Sequence, residues 1–200
     1  MAGEDTKDMT QAERIFVRIS VLQTFLAVAG LFTGAVALWA AVNEADAVRK
    51  QQLATVWPYI SVSPMNYGSP GEERFEIIVR NKGIGPARIK SVRLEVDGKE
   101  ETSWYDLAAE LSGGKQIGIS NTPIANEVIS PEEELTAVSF DVAYAPKEAV
   151  FGFRDLVRNG RANIFVCYCS VFDDCWRLDA LNVETSPVDS CPPQNAASNI

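Results

Sequence analysis

The chain has 200 residues, a formal net charge of −9 and no histidine. The lack of histidine excludes Ser-His-Asp triads, Cys-His dyads and His-ligated metal sites. The acidic balance argues against nucleic-acid binding, which needs clustered Lys and Arg. Without the apolar segment and the tails, about 125 residues are left to fold, enough for one domain of ordinary size.

Residues 19–42 form an uncharged apolar run, ISVLQTFLAVAGLFTGAVALWAAV. As a helix it is about 36 Å long and can cross a hydrocarbon core of about 30 Å. The run predicts a transmembrane helix at 19–42 after an N-terminal tail at 1–18. A cleaved signal peptide is the alternative, because Ala35-Val36-Ala37 has the small-x-small pattern of a cleavage site. The apolar run continues past that site to Val42, which favours an uncleaved anchor.

Basic residues on either side of the span set its expected orientation. Lys7, Arg14 and Arg18 precede it, whereas Arg49 and Lys50 follow it at a greater distance. The positive-inside rule therefore places the tail in the cytoplasm. We expect a single-pass protein of the inner (plasma) membrane whose soluble domain is periplasmic or extracellular.

Small residues recur at steps of three and four along the span, at Ala27, Gly30, Gly34, Ala37 and Ala41. These steps place them on one stripe of the helix. The G-x-x-x-G pair within the stripe lets two backbones approach closely in lipid. The stripe predicts helix association and a homo-oligomer, with a chance pattern in an Ala-rich span as the alternative.

Residues 43–56 contain no Gly or Pro and are rich in helix-forming residues. They predict a helical stalk that continues the span. Pro58 cannot continue a helix and disfavours helical geometry at Trp57, so the stalk is expected to end there.

From residue 57 to 184 the apolar period changes to two, which predicts strands. In the third strand the apolar parity changes, and a bulge near Lys90-Ser91 would reconcile its two halves. Asp97-Gly98 is a strong hairpin signal. The strand from Ile164 is apolar on both faces, which predicts a central position. The predicted strands are Tyr59–Ser63, Arg74–Asn81, Ala87–Val96, Leu135–Tyr144, Ile164–Phe172 and Cys175–Leu181.

Two short helices are predicted between the strands. Ser103 to Leu111 opens with a Ser-x-x-Asp capping pattern. Lys147 to Arg158 follows Pro146 and stops at Asn159-Gly160. Many short strands with few helices indicate a mainly β fold, a β-sandwich. Residues 185–200 are polar and are expected to form a disordered tail.

The four cysteines, Cys167, Cys169, Cys175 and Cys191, all fall after the span. An exported compartment permits disulfides, and at least one is predicted, involving Cys191 or Cys175; the pairing is open. If Asp173-Asp174 is a two-residue turn, a bridge from Cys175 to Cys169 would need a longer or bulged loop. Reduced cysteines in a cytosolic domain are the alternative. The C-x-C spacing disfavours zinc, so no metal or cofactor site is expected.

Adjacent carboxylates occur at Asp173-Asp174 and at residues 132–134. Paired carboxylates can act as acid and base or bind calcium, but neither run matches a calcium loop. Turns and solvated faces explain them more simply. No phosphate-binding or nucleophile-elbow motif occurs. We therefore assign no catalytic residue and expect no enzymatic activity.

The stretch Asn81-Lys82-Gly83-Ile84-Gly85-Pro86-Ala87 resembles a motif of uncharacterised bacterial single-span membrane proteins. The segment CYCSVFDDCW, residues 167–176, resembles a second signature of that group. The first stretch is also similar to turns in adhesion-related sandwich modules. The resemblance implies an immunoglobulin-like domain without known catalysis. The glycines themselves suit a turn with positive φ between two strands.

The leading interpretation is a membrane-anchored, non-enzymatic binding or assembly module. It would present loops or a sheet edge to a protein partner, with no role for nucleic acid. The second is a membrane-bound sensor or regulatory subunit whose cytosolic domain responds to redox state or metal.

Overall fold

A computed structural model describes residues 10–115 and 117–200. The chain forms two compact units, one up to Gln52 and one from Leu53 to Ile200. Helix α1, Gln11–Thr55, makes up the described part of the first unit and runs into the start of the second. No residue of α1 is buried. Lys7, used above for the orientation, lies outside the described residues.

Helix α1 has 45 residues and is about 68 Å long. It begins in the predicted tail, eight residues before the predicted span. Thr10 and Glu13 form a capping box there: the Glu13 carboxylate accepts from the Thr10 backbone N–H at 2.8 Å, and the Thr10 hydroxyl accepts from the Glu13 N–H at 3.4 Å. Residues 43–55 of the predicted stalk are helical and belong to α1. Helix α1 is long and apolar enough to cross a membrane, and a signal sequence would pass the same test.

The second unit contains two antiparallel sheets and two short helices. The first sheet has the strand order β1-β2-β7-β5, and the second has β10-β9-β8-β3-β4, with β6 paired to β3. The elements are β1 (Ile60–Tyr67), β2 (Arg74–Asn81), β3 (Ala87–Val96), β4 (Lys99–Glu101), α2 (Trp104–Leu111), β5 (Ser120–Asn121), β6 (Val128–Ile129), β7 (Glu134–Asp141), α3 (Lys147–Arg158), β8 (Ala162–Cys169), β9 (Cys175–Asp179) and β10 (Glu184–Val188). Because α1 is so long, the chain as a whole is mixed α and β rather than mainly β.

The two sheets share one hydrophobic core, built from apolar residues of β1, β2, β3, β6, β7, β8 and β9 and of the two short helices. Helix α3 covers part of it with Phe153, which is fully buried. The Phe153 ring stacks on Phe140 at 4.5 Å and meets Phe75 and Trp104 edge-on at 5.4 and 5.7 Å. Each such aromatic pair adds about 0.5–1.5 kcal/mol beyond its buried area. Both predicted helices are confirmed, and the Ser103 hydroxyl caps α2 as expected.

The predicted irregularities of β3 are confirmed. Its register with β8 shifts between Ile89 and Ser91, so Ile89 and Val92 both face the core despite their opposite parity. Asp97 and Gly98 have φ of 50° and 77° and link β3 to β4 in a tight hairpin. Strand β8 lies in the middle of its sheet, as predicted.

Several predicted strand ends are wrong. Strand β1 continues past Ser63 to Tyr67, and β9 ends at Asp179 instead of Leu181. Strand β7 ends at Asp141, because the Asp141 carbonyl turns back to accept from the N–H groups of Tyr144 and Ala145. Tyr144 is consequently 74 % exposed. The β8–β9 connection is a five-residue loop, 170–174, rather than a two-residue turn at Asp173-Asp174, so Cys169 and Cys175 lie opposite each other. The exposed Phe172 belongs to this loop and not to a strand.

The expectation of a disordered tail at 185–200 is also corrected. Residues Glu184–Val188 form β10, which pairs with β9 along its whole length. The segment that follows is held by a disulfide at Cys191 and by a hydrogen bond from the Val92 N–H to the Gln194 side chain at 2.8 Å. The side chain of Ile200 is buried in the core. Long-range contacts, which composition does not reveal, fix this polar segment.

Candidate functional site

Strand β1 forms one free edge of the first sheet. Asn81 of β2 lies opposite Ile60 of β1. The backbone groups of Asn81 point away from β1, because the Asn81 N–H donates to the Glu133 carbonyl and the Asn81 carbonyl accepts from the Glu132 N–H. The pair Ile60–Asn81 is therefore a non-hydrogen-bonded pair of the antiparallel ladder. By alternation, the backbone groups of residues 60, 62, 64 and 66 point outward. Ile60 is fully buried, so strand β1 offers Val62, Pro64 and Asn66 to an added strand.

Pro64 occupies one of the outward positions of β1. Proline lacks a backbone N–H and is tolerated in a sheet only where that N–H would have no ladder partner. Its position agrees with the register and interrupts the row of free donors, a common protection of edge strands. The outward carbonyl of Pro64 and the outward N–H groups of Val62 and Asn66 stay open to a partner.

An open cleft of about 440 Å³ runs beside β1, between the two sheets. Its floor consists of core side chains from both sheets and from α3, and its mouth carries a few polar groups. The floor residues include Ile60, Ile77, Leu94, Phe153, Ile164 and Leu178. Lys82 and the serines Ser61 and Ser63 of β1 are among the polar residues that line the cleft. A strand added to β1 could place apolar side chains in this cleft.

A loop after β9 forms the other rim of the cleft and exposes Leu181 and Val183. Asp179 holds this loop: its carboxylate accepts from the side chains of Asn163 and Asn182, each at 2.9 Å. Partial burial raises the pKa of the Asp179 carboxyl, but these bonds and those from backbone N–H groups outweigh it. The pKa therefore lies below its ordinary value. The loop is fixed by an ionised group at neutral pH.

The predicted disulfide candidates all pair, which confirms the expectation of at least one disulfide. Cys167 bonds to Cys191, and Cys169 bonds to Cys175 across the β8–β9 pair, with Cα–Cα distances of 5.6 and 4.0 Å. The two bridges touch, because the Sγ atoms of Cys169 and Cys191 are 3.8 Å apart. The five-residue β8–β9 loop supplies the longer connection that the second bridge requires.

The stretch from Asn81 to Ala87 binds the segment by which the chain enters the domain. The fully buried Asn81 amide has all four of its hydrogen bonds: its oxygen accepts from the Tyr59 and Gly83 N–H groups, and its nitrogen donates to the Gly85 and Ile129 carbonyls. The distances are 2.8–3.2 Å. We call Asn81 with these partners the Asn81 clasp. It anchors residues 57–59 to the domain.

The predicted positive φ at Gly83 and Gly85 is wrong; close packing explains both glycines instead. A Cβ on Gly83 would lie 2.4 Å from the Tyr59 nitrogen, and one on Gly85 would lie 1.8 Å from the Val56 carbonyl oxygen. Only glycine lets the two backbones approach this closely.

The small residues predicted to mediate helix association lie on α1. Ala27, Gly30, Gly34, Ala37 and Ala41 are all exposed on α1. A Cβ on either glycine would meet nothing within 4 Å, so the stripe is open to a neighbouring helix.

The carboxylate runs take part in separate local contacts. Asp173 pairs with Arg88 at 2.7 Å, Glu133 accepts from the Ser130 N–H, and Glu134 pairs with Arg80.

Sequence reasoning missed the β1 edge and its cleft. The signal that could have found the edge is Pro64, because proline within a strand marks an edge position.

The chain thus combines a long apolar helix with a two-sheet domain that has a free strand edge beside an apolar cleft. A family model described as "Domain of unknown function (DUF8453)" matches residues 19–171, and the chain belongs to that family. The matched range includes the apolar helix from Ile19 and the strands up to β8. It contains Cys167 and Cys169 and ends before Cys175 and Cys191. No curated protein and no solved structure matches the chain.

Proposed function

We propose that this protein is a single-pass membrane protein whose soluble domain binds a protein partner by adding a partner strand to β1. The role is binding or assembly and not catalysis. The observation that carries the proposal is the free β1 edge beside an apolar cleft. Backbone bonds along the edge would supply affinity, and side chains in the cleft would supply specificity.

An immunoglobulin-like β-sandwich is the fold assignment we propose for the domain. The strand order supports it: β1, β2, β7 and β5 follow the A-B-E-D order, and β9, β8, β3 and β4 follow the G-F-C-C′ order of such sandwiches. The domain differs from antibody domains in its disulfides, which do not bridge the two sheets. Cys169–Cys175 joins two strands of the second sheet, and Cys167–Cys191 joins that sheet to the segment after β10. In this assignment β1 is strand A, an edge strand.

Membrane anchoring by α1, with the domain periplasmic or extracellular, is part of the same proposal. Three observations support it: the hydropathy of α1, the family match that starts within it, and two disulfides, which persist in exported compartments. Helix association through Gly30 and Gly34 stays a prediction. So does the likeness to bacterial single-span membrane proteins and adhesion-related modules.

The test is photo-crosslinking of the full chain in native membranes. A photoreactive phenylalanine analogue replaces Tyr67, an aromatic residue at the end of β1, or Tyr105 on α2 as a control; both are about half exposed. Val62→Pro removes one outward N–H, whereas Val62→Ala removes a similar part of the side chain and keeps the N–H. Equal urea midpoints for the two variants show that the β1–β2 ladder is intact.

We expect an adduct from position 67 to one segment of one protein. It should persist in Val62→Ala, disappear in Val62→Pro and be absent from position 105. An adduct that survives Val62→Pro would contradict strand addition, and so would an adduct formed only from position 105.

A sensor or regulatory subunit with a cytosolic domain is the second candidate. The clustered sulfurs of Cys169, Cys175 and Cys191, the last bonded to Cys167, favour it, because reduction would change the chemistry of this end of the domain. An alkaline phosphatase fusion at the C-terminus separates the two candidates: activity supports an exported domain, and inactivity supports a cytosolic one.

A further inference from the structure

Four sulfur atoms converge at the end of the β8–β9 hairpin. Cys167 and Cys169 alternate on β8 and so share one face, and Cys175 lies directly opposite Cys169. Cys191 reaches the same place from the segment after β10. The Sγ atoms of Cys169, Cys175 and Cys191 all lie within 4.8 Å of one another.

The spacing between the two bridges matches a metal–thiolate geometry. Tetrahedral zinc thiolates have Zn–S distances of about 2.3 Å, so neighbouring sulfurs are about 3.8 Å apart. The Sγ atoms of Cys169 and Cys191 already have this separation, 3.8 Å. Breaking each disulfide would let its two sulfurs move apart to a similar distance.

The strand register places positive charge beside these sulfurs. Arg177 on β9 lies opposite Cys167. Arg88 on β3 lies opposite Cys169, where its charge is already paired with Asp173 at 2.7 Å. Directly opposite residues share a face of the sheet, so both arginines project on the face that carries the cysteines. Nearby cations favour the thiolate form that metals require. The site is also shielded from solvent, because Cys167, Cys169 and Cys175 are at most 8 % exposed.

We propose that the four cysteines form, once both disulfides are reduced, one site for a thiophilic divalent cation such as zinc. Each disulfide takes two electrons and two protons from a dithiol, which is itself oxidised to a disulfide. The four thiols then bind one cation through sulfur and release four protons, which leaves a tetrathiolate centre of charge −2. The same residues thus serve as two bridges under oxidising conditions and as one metal site under reducing conditions.

This site does not depend on the β1 edge, which lies on the other sheet. A metal at these sulfurs would keep Cys191, and with it the segment after β10, attached when the disulfides are absent. Reduction without metal would leave that segment held only by contacts such as the Val92–Gln194 hydrogen bond.

The test is cobalt titration of the full chain in detergent micelles, after dithiol reduction and anaerobic removal of the reductant. The chain has four cysteines and no histidine, so cobalt–thiolate absorption reports on these residues alone. We expect the visible bands of tetrahedral cobalt at one cobalt per chain, displaced by zinc. The oxidised chain should show no bands. Bands that saturate at half a cobalt per chain would overturn the proposal, because they indicate a site shared by two chains.

Variants test the preformed geometry. Cys191→Ser should weaken cobalt binding at least tenfold, and the neighbouring control Ser190→Ala should leave it unchanged. If Cys191→Ser binds as tightly as the parent, the four-sulfur site is refuted. When the metal is added to the reduced chain, the circular dichroism signal of the sheets should match that of the oxidised chain. Equally tight binding by the reduced chain unfolded in urea would also overturn the proposal, because the folded arrangement would then contribute nothing.

Discussion

The Asn81 clasp gives a prediction whose size follows from the structure. Asn81→Ala removes four hydrogen bonds and leaves two N–H groups and two carbonyls without their partner in a place closed to solvent. At about 1 kcal/mol for each bond, the expected loss is about 4 kcal/mol. That is large for one substitution in a domain whose total stability is about 5–15 kcal/mol.

Urea unfolding of the full chain in detergent micelles, followed by tryptophan fluorescence, measures this loss. With a slope of about 2 kcal/mol per molar urea, the midpoint should fall by roughly 2 M. The matched control is Asn66→Ala, at an exposed position of β1, which should change stability by no more than about 0.5 kcal/mol. If Asn81→Ala shifts the midpoint no more than Asn66→Ala, the clasp does not stabilise the domain and the reasoning fails.

The remaining predictions concern the glycines, the disulfides and the cleft rim. Gly85→Ala should lower the urea midpoint at least as much as typical overpacking, about 1–3 kcal/mol, because its Cβ would overlap the Val56 carbonyl; an unchanged midpoint would refute the close approach. Removing the Cys167–Cys191 bridge by a double serine variant should cost about 3.5 kcal/mol, and removing Cys169–Cys175 about 2.4, since the first closes the longer loop (sequence separations 24 and 6). The reverse order in calorimetry would contradict this. The pKa of Asp179 is lowered on folding, so its contribution to stability is complete above the unfolded pKa of about 3.8 and is lost as the pH falls through the folded pKa. Asp179→Asn should therefore flatten the acid side of the stability profile, and an unchanged profile would show that the loop does not depend on this charge.

Local patterns predicted the elements whose cause is local. The alternation of Phe75, Ile77 and Val79 fixed β2, because one face of that strand lies in the core. The capping serine of α2 and the Asp97-Gly98 turn act within a few residues, so their sequence signals were sufficient.

Features that depend on distant partners could not be predicted in the same way. Strand β10 forms because β9 and the Cys167–Cys191 bridge hold it, and the polar composition of its segment carries no trace of them. Strands β5 and β6 have two residues each, too few for a period. The Asn-x-Gly-x-Gly stretch indicated a glycine-dependent backbone, but the reason, contact with residues 56–59, is visible only in the fold.

The candidate site was predicted only in outline. Loops or a sheet edge were expected to bind the partner, but the predicted strand Tyr59–Ser63 stopped before Pro64, the residue that marks β1 as an edge. The cysteines were identified as bridge-forming, whereas their pairing depended on the length of the β8–β9 loop. That loop is longer than its two aspartates suggested. The chain reverses over residues 170–174, where the Asp173 N–H donates a hydrogen bond to the Ser170 carbonyl.

Anchoring by α1 is tested most directly by fractionation of cells that express the chain with different epitopes at its two ends. After an alkaline carbonate wash, both epitopes should be found in the membrane pellet on one polypeptide. A soluble species that carries only the C-terminal epitope would show that the apolar helix is removed as a signal sequence, and would contradict the proposal of a membrane-anchored binding module.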